Sequence, residues 1–280
     1  MTYIDTHVHF WKPARGDYGW LKPSNELMYR DYLPWQLLPH LQEQGVEGVI
    51  AVQAAFTAEE TEFLLELAEE NPVIMGVVGG LDPLAADFAE KLERLSAHER
   101  LVGLRFNGEF FASSAVADPL RRLERTGLTI DVLTGPEQME AVYAHLRHVP
   151  ELKAVVNHLG NPLGGSTDLW RQGIERLAEL PEVRVKLSGM ITQSGAEFNL
   201  EARGERLKQY VGDLLRTFGT ERLMFGSDWP VALHGGAYKD VIRLFESFIT
   251  EAVSVQERQA IRSINARAVY GRAKTRAKSS

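Results

Sequence analysis

A short apolar run followed by an amphipathic helical pattern recurs about eight times, and this repetition constrains the fold more than any other feature. The runs cover residues 3–9, 46–53, 73–79, 101–106, 128–133, 153–158, 183–188 and 223–228. Strands that alternate with helices pair in parallel and are joined by right-handed crossovers. Eight such units predict an α/β fold that closes into a (β/α)8, or TIM, barrel. An open doubly wound sheet is the alternative, but no Gly-x-Gly-x-x-Gly turn follows the first run.

The length of the chain fits one domain of this kind. It has 280 residues, and single (β/α)8 barrels commonly reach that size. No segment rich in Pro, Gly or Ser and no change of composition divides it. We therefore predict one barrel domain over residues 1–272 and a disordered tail over residues 273–280, where basic residues occur without apolar anchors.

The charge and the lack of cysteine exclude several kinds of function. A formal net charge of -7 argues against a nucleic-acid-binding protein, which would normally present a basic face to phosphates. Because the chain has no cysteine, a metal could be bound only by histidine and carboxylate side chains. The sequence shows no signal-peptide pattern and no apolar run long enough to span a bilayer, so we expect a soluble, cytoplasmic protein that binds no membrane.

Two histidines close to the N-terminus, His7 and His9, are the first candidate site residues. Side chains alternate across a strand, so two residues separated by one position point to the same face. His158 and Asp228 end two later apolar runs and stand near Gly or Pro, as residues at the loop-facing ends of strands do. Together these side chains predict a site for one divalent cation such as Zn²⁺, with a position left for water. Asp228 could then accept a proton from that water and deliver it to a leaving group.

Other runs carry further polar residues. Gln53, Arg105 and Ser188 are expected at the carboxyl ends of their strands, where barrel enzymes hold their active sites. The planar guanidinium of Arg105 could bind a substrate carboxylate or carbonyl, and a structural salt bridge is the alternative. Asp131 and Lys186 lie within otherwise apolar runs, so they could form a buried pair inside the barrel or contact a ligand.

The first connection, from residue 10 to about residue 30, is long and rich in aromatic side chains, among them Trp11. Long loops in compact domains are usually functional lids or disordered segments, and the aromatic content disfavours disorder. We predict a lid over the strand ends, with Trp11 as a substrate contact. A flap over the bottom of the barrel, or one that packs on a neighbouring subunit, is the alternative. His234, in a Gly-rich loop after the last run, is a further candidate for substrate contact.

Six motifs occur at or near the predicted strand ends. They are Asp5-Thr6-His7-Val8-His9-Phe10-Trp11, Val52-Gln53-Ala54, Gly76-Val77-Val78-Gly79, Asn157-His158-Leu159-Gly160-Asn161-Pro162, Lys186-Leu187-Ser188-Gly189 and Gly226-Ser227-Asp228-Trp229-Pro230. In this order, and over nearly the whole chain, they resemble the amidohydrolase superfamily. The likeness is greatest to its lactonase branch, whose members open sugar lactones or pyrone dicarboxylates. The resemblance implies a distorted (β/α)8 barrel that hydrolyses a cyclic ester.

By position, the resemblance also implies roles for single residues. His7, His9 and His158 would bind a metal or polarise the carbonyl group, and Asp228 would be the general base that activates water. Arg105 stands where binuclear members of the superfamily have a bridging lysine, so a second metal ion is not expected. The resemblance implies one divalent metal ion, most simply Zn²⁺, and because some lactonases of this branch work without metal it leaves open whether that ion is required. Asn157 departs from the branch, which commonly has an acidic residue there.

The sequence therefore predicts a lactonase that opens a small sugar-derived 1,4- or 1,5-lactone by attack of a water activated by Asp228. A single cation, Arg105, among many neutral donors suits a polyol better than a dicarboxylate. A metal-dependent decarboxylase or hydratase of a conjugated or aromatic acid is the first alternative, and a non-catalytic ligand-binding barrel is the second. The expected partners are the small lactone and, in a homo-oligomer, further copies of the chain.

Overall fold

Eight parallel strands form the centre of the molecule. The computed structural model describes residues 2–192 and 200–271, without the side chains of residues 200–203. The predicted tail, residues 273–280, lies outside the described residues. The strands are β1 (Tyr3–Val8), β2 (Val46–Val52), β3 (Ile74–Gly80), β4 (Leu101–Asn107), β5 (Thr129–Leu133), β6 (Ala154–Val156), β7 (Val183–Leu187) and β8 (Leu223–Phe225). They lie side by side in sequence order, each parallel to the next.

The sheet closes between its last and first strands. The backbone N–H of Asp228 donates to the carbonyl oxygen of His7 at 2.8 Å, and that of His9 donates to the carbonyl oxygen of Trp229 at 2.7 Å. These bonds join the segment after β8 to the end of β1. The molecule is a single-domain (β/α)8 TIM barrel, which confirms the predicted fold.

Helices occupy the connections between the strands. They are α1 (Pro34–Gln44), α2 (Ala58–Glu70), α3 (Phe88–Ser96), α4 (Ala117–Thr126), α5 (Met139–Leu146), α6 (Thr167–Ala178), α7 (Leu200–Phe218), α8 (Tyr238–Ile249), α9 (Val255–Gln259) and α10 (Asn265–Tyr270). Because helices cover the outside and side chains fill the inside, a strand such as β2 is buried on both faces. Strands of this kind therefore appear in the sequence as continuous apolar runs. Within the described ranges, no helix is both long and apolar enough to cross a membrane.

The amino-terminal end of the barrel is closed by α10. Its residues Ala266, Val269 and Tyr270 pack with apolar side chains of the barrel interior, among them Ile4. The side-chain amide of Asn265 donates to the carbonyl oxygens of Thr220, in the turn before β8, and of Leu223, the first residue of β8, at 2.8 Å each. The last helix of the described chain thus forms the floor of the barrel.

Two strands end two or three residues earlier than the sequence indicates. The apolar runs predict strands up to His158 and Asp228, but β6 ends at Val156 and β8 at Phe225. Both residues have a positive φ, 53° for His158 and 65° for Asp228, which an extended strand cannot accommodate. The two side chains therefore lie on turns directly beyond the strands, at the carboxyl end of the barrel.

The first connection covers this carboxyl end, as the sequence predicts. Residues 10–30 are called the lid below. Near the two ends of this segment, the backbone N–H of Trp11 donates to the carbonyl oxygen of Tyr32, and that of Tyr32 donates to the carbonyl oxygen of Trp11, both at 3.0 Å. The indole N–H of Trp20 donates to the carbonyl oxygen of Ala54, just after β2, at 2.8 Å. Lid residues thus meet the loop that follows β2 rather than the barrel floor.

Candidate active site

Three side chains converge at the carboxyl end of the barrel. His7 and His9, at the end of β1, point the same way, as the alternation of a strand requires. Their Nε2 atoms lie 3.8 and 3.3 Å from Oδ1 of Asp228. One nitrogen or oxygen atom from each of the three residues lies within 4.8 Å of the others, a spacing that can hold a metal ion.

The two imidazoles of β1 differ in their surroundings. Nδ1 of His9 lies 2.7 Å from the carbonyl oxygen of Val52, so it carries the proton and leaves the Nε2 lone pair free. His7 is fully buried, and neither ring nitrogen has a hydrogen-bond partner among the described residues. Burial, together with the charge of nearby groups, lowers the pKa of His7 well below its ordinary value. Both rings therefore direct a ring nitrogen to the shared space.

Asp228 is fixed by its turn and by its neighbours. Its Oδ2 accepts a hydrogen bond from the Thr192 hydroxyl at 3.4 Å, and its Oδ1 faces the imidazoles. Burial by itself would raise the pKa of Asp228, but His158, His9 and Arg105 outweigh it and hold the pKa below its ordinary value. The carboxylate is therefore ionised at neutral pH and can accept a proton.

His158 faces the same carboxylate from the turn after β6. Its Nε2 lies 4.0 Å from Oδ1 of Asp228, and its Nδ1 lies 2.9 Å from the hydroxyl of Ser188, which also accepts its backbone N–H at 3.3 Å. A Cβ on Gly189, which has a φ of 64°, would lie 2.6 Å from Nδ1. The Ser188-Gly189 pair thus holds the ring in place. Burial lowers the pKa of His158 to about 4, so the ring is neutral at neutral pH.

A buried carboxylate, Asp5, connects β1 with the segment after β8, where the barrel closes. Its Oδ1 accepts the backbone N–H groups of His7 at 3.1 Å and Ser227 at 2.8 Å. Its Oδ2 accepts the Tyr238 hydroxyl at 2.9 Å. Burial raises the pKa of Asp5 to about 6 against these hydrogen bonds. Asp5 thereby sets the backbone beside both His7 and Asp228.

A cavity of about 410 Å³ opens beside these residues, a size typical of sites for small molecules. Its wall includes His9, His158 and Asp228. Arg105 of β4 and Trp20 of the lid also line it. Arg105 is only 8% exposed, yet within the described part of the chain no hydrogen bond or ion pair joins it to another residue. A buried guanidinium without a protein partner is costly unless a ligand accepts its hydrogen bonds.

The other predicted substrate contacts occupy different positions. Gln53 is fully buried, and both atoms of its amide lack a partner among the described residues. Trp11, itself a lid residue, is also buried, and its indole N–H donates to the carbonyl oxygens of two other lid residues, Met28 and Arg30, at 3.1 and 3.0 Å. His234 is exposed and lies 3.4 Å from the side-chain amide of Asn25. The substrate contacts of these residues and of Ser188 stay predictions.

Four residues of the site are missing from the sequence prediction. Asp17, Trp20 and Asn107 line the cavity, and Thr192 contacts Asp228. Asn107 could have been found, because it follows Arg105 by two positions on β4 and so points to the same face. The lid residues and Thr192 carry no comparable signal, since an irregular loop has no period from which its side-chain directions follow.

Asp131 and Lys186 form a buried pair inside the barrel. Lys186 Nζ lies 2.6 Å from Oδ2 of Asp131 and donates to the carbonyl oxygen of Thr6, also at 2.6 Å. The Asn157 amide donates to the same carboxylate oxygen at 3.0 Å, and the Tyr270 hydroxyl donates to the other at 2.8 Å. Of the two predictions for the pair, the structural one is confirmed.

Known proteins resemble this chain over nearly its whole length. A family model described as Amidohydrolase matches residues 4–272. An L-fucono-1,5-lactonase of Burkholderia multivorans is 34% identical over 273 residues, 92% of each chain. One of Burkholderia ambifaria is 31% identical over 249 residues, 86% of this chain and 84% of the relative. A crystal structure of an amidohydrolase from Burkholderia multivorans with bound zinc is 33% identical, with a TM-score of 0.88 over 98% of this chain and 100% of its own.

Proposed function

The chain belongs to the amidohydrolase family, and on that basis we propose that it hydrolyses a sugar-derived lactone of the kind that L-fucono-1,5-lactone represents. It is a hydrolase acting on a cyclic ester. The observation that carries the proposal is the convergence of Asp228 with three imidazoles beside a cavity lined by Arg105, which has no hydrogen-bond partner among the described residues. These groups supply a base for water and cationic or neutral donors for a carbonyl oxygen.

The donor set fits one divalent cation. His7 has two buried ring nitrogens without a partner among the described residues, and His9 directs its Nε2 to the same point as Asp228. Neutral imidazole and carboxylate are ligands that zinc accepts, and the hydrogen bond from His9 to the carbonyl of Val52 is the kind of contact that orients a ligand. A Zn²⁺ ion held by His7, His9 and Asp228 would lower the pKa of a bound water towards neutrality. We assign the metal as one ion of this type.

The chain's own residues then carry the protons. Asp228, ionised and held by Thr192, accepts one proton from water while the water oxygen forms a bond to the carbonyl carbon of the lactone. The ring C–O bond breaks as the intermediate collapses, and Asp228 returns the proton to the leaving ring oxygen. One water and one lactone thus give one hydroxy acid.

The carbonyl oxygen becomes negative during this attack, and two residues are placed to stabilise it. Arg105 and His158 both line the cavity beside Asp228. Arg105 is a permanent cation. His158 is neutral, and when its Nδ1 accepts a hydrogen bond from the Ser188 hydroxyl, its Nε2 carries the proton and can donate to the carbonyl oxygen. Donors placed where charge develops contribute a large part of catalysis in enzymes of this kind.

A direct test is acid release from a panel of sugar lactones, followed with a pH indicator, before and after chelation, with the metal content of the same sample measured. We expect release above the uncatalysed rate for a 1,5-lactone with several hydroxyls, loss on chelation and recovery with Zn²⁺. Activity that persists in metal-free protein would refute the metal assignment and leave the lactonase assignment intact. No acid release from any lactone would refute the lactonase itself.

Two further properties stay predictions from the sequence. They are the cytoplasmic location and the assembly into a homo-oligomer. Gel filtration combined with light scattering measures the second directly. The mechanism above needs neither, because every residue that it uses comes from one chain.

A further inference from the structure

Two residues that line the cavity have an acceptor oxygen for which the described part of the chain provides no donor. Asp17, in the lid, and Asn107, at the end of β4, both line the cavity. Oδ1 of each is buried and has no partner among the described residues. Buried acceptor oxygens without a donor are costly, and a donor on a molecule bound in the adjacent cavity would remove that cost.

Asp17 is held in place by its second oxygen. Oδ2 accepts a hydrogen bond from Arg15 at 2.8 Å and one from the Thr57 hydroxyl at 3.3 Å. Thr57 is also the N-cap of α2, where its hydroxyl accepts the backbone N–H of Glu60. The carboxylate is therefore anchored between the lid and a barrel helix, which leaves Oδ1 in a fixed position.

Donor and acceptor matching then defines the ligand. Two unpartnered acceptors, from Asp17 and Asn107, call for hydroxyl donors, and the donor-only Arg105 calls for one acceptor such as a carbonyl oxygen. Trp20 and Phe56 add aromatic surface to the same cavity, against which the C–H groups of a sugar ring can pack. A second carboxylate on the ligand would be repelled by Asp17.

We propose that Asp17, supported by Asn107, is the hydroxyl-binding subsite that makes this enzyme select polyhydroxylated neutral lactones over unsubstituted or acidic ones. This inference rests on the proposed lactonase function and adds the residue that recognises the sugar. Asp17 acts in binding and orientation, and the making and breaking of bonds is left to Asp228 and its neighbours.

The test compares two lactones that share the six-membered ester ring. They are L-fucono-1,5-lactone and δ-valerolactone, which has no hydroxyls. We expect Asp17→Ala to lower the ratio of their kcat/KM values by about 10- to 100-fold, because a hydrogen bond to a charged group is lost for the first lactone only. Asp17→Asn, which keeps the shape and one acceptor, should lower the ratio less. The exposed Asp31, directly after the lid, gives the matched control Asp31→Asn, whose ratio should equal that of the wild type.

Each outcome bears on a separate claim. Equal losses for both lactones in Asp17→Ala would show that Asp17 only latches the lid, and would overturn the proposal. Binding of the non-hydrolysable 1,5-lactam with the same hydroxyls, measured by calorimetry, covers the case in which no lactone is turned over. Lactam binding that weakens at least tenfold in Asp17→Ala would then support the subsite although the lactonase assignment had failed. Binding unaffected by the substitution would overturn the subsite.

Discussion

Arg105 and Lys186 are both buried cations on strands of one barrel, but they differ in their partners. Lys186 lies between Asp131 and the carbonyl oxygen of Thr6, in a network that Asn157 and Tyr270 complete. Arg105 is the register neighbour of Asp131 on the adjacent strand, yet among the described residues it has no hydrogen bond or ion pair. A buried charge with all its partners stabilises one arrangement of the strands, whereas one without them is prepared for a ligand. The same distinction separates the barrel interior from the cavity wall.

The largest effect is expected at the cavity wall, from Asp228→Asn. The variant keeps the shape of the side chain but removes the base, so kcat for a sugar lactone should fall by about 10²- to 10⁴-fold. Unfolding in urea should show a stability near that of the wild type, since the role of Asp228 is chemical. A wild-type rate in this variant would contradict the mechanism.

Lys186→Met tests the barrel interior. It leaves the fully buried Asp131 carboxylate without its cation, and the free energy of unfolding should fall by about 3–5 kcal/mol. Urea denaturation measures the loss, and Lys208→Met, at an exposed lysine of α7, is the matched control. Replacing both partners, Lys186→Met with Asp131→Leu, should recover part of the stability. If the single variant is as stable as the wild type, the network does not hold the barrel together.

Arg105→Gln should lower activity without lowering stability, in contrast with Lys186→Met. It removes a donor for the carbonyl oxygen, so kcat/KM should fall by about 10²-fold. Stability should stay the same or rise, because an unpartnered buried cation is removed. Steady-state kinetics and urea denaturation of the same samples separate the two, with Arg121→Gln on the surface of α4 as control. A loss of stability as large as that of Lys186→Met would place Arg105 with the structural charges.

Glu60 lies between these two cases, because only one of its carboxylate oxygens has a partner among the described residues. One of its oxygens accepts the backbone N–H of Ala54 at 2.9 Å, and the other has no partner among the described residues. Burial raises the pKa of Glu60 from 4.5 to about 8, so the folded state binds a proton that the unfolded state releases in this range. Proton binding by Glu60 therefore contributes to the free energy of unfolding. This contribution is complete below pH 4.5 and should decline by about 1.4 kcal/mol per pH unit up to pH 8.

Glu60→Gln keeps the acceptor for Ala54 and removes the titration. Urea denaturation between pH 5 and pH 8 should therefore show a flatter pH dependence for this variant than for the wild type. Glu59→Gln, at the exposed neighbouring position, should leave the wild-type slope unchanged. Identical slopes for wild type and Glu60→Gln would mean that the Glu60 carboxyl is ionised in the folded protein.

The sequence predicts the features of the barrel that depend on periodicity. Buried parallel strands appear as apolar runs, so all eight could be located, and alternation along β1 places His7 and His9 on one side. The N-cap of α2 is Thr57, whose hydroxyl accepts the backbone N–H of Glu60, but the Glu60 carboxyl accepts the backbone N–H of Ala54 instead of completing a capping box with Thr57. A local motif specifies the helix start, while the partner of a buried carboxyl depends on the tertiary structure.

The site is predictable only in part for the same reason. Polar residues at strand ends indicate Arg105 and Asp228, but the positive φ of Asp228 and of His158 is set by turns that the apolar pattern does not describe. Asp17 reaches the cavity through the path of the lid, and that path depends on contacts such as the one between Trp20 and Ala54. Contacts distant in sequence have no local signature from which they can be derived.

The floor of the barrel has a consequence for the order in which the protein can be made. Tyr270 completes the network around Asp131, and Asn265 binds the start of β8. The side chain of Gln259 donates to the carbonyl oxygen of Thr2, so the last helices also hold the first strand. During synthesis the ribosome releases these residues after all eight strands, and domains complete their folding as units. A nascent chain that ends before residue 259 therefore has every catalytic residue but a barrel without its floor, and activity should appear only when its last helices emerge.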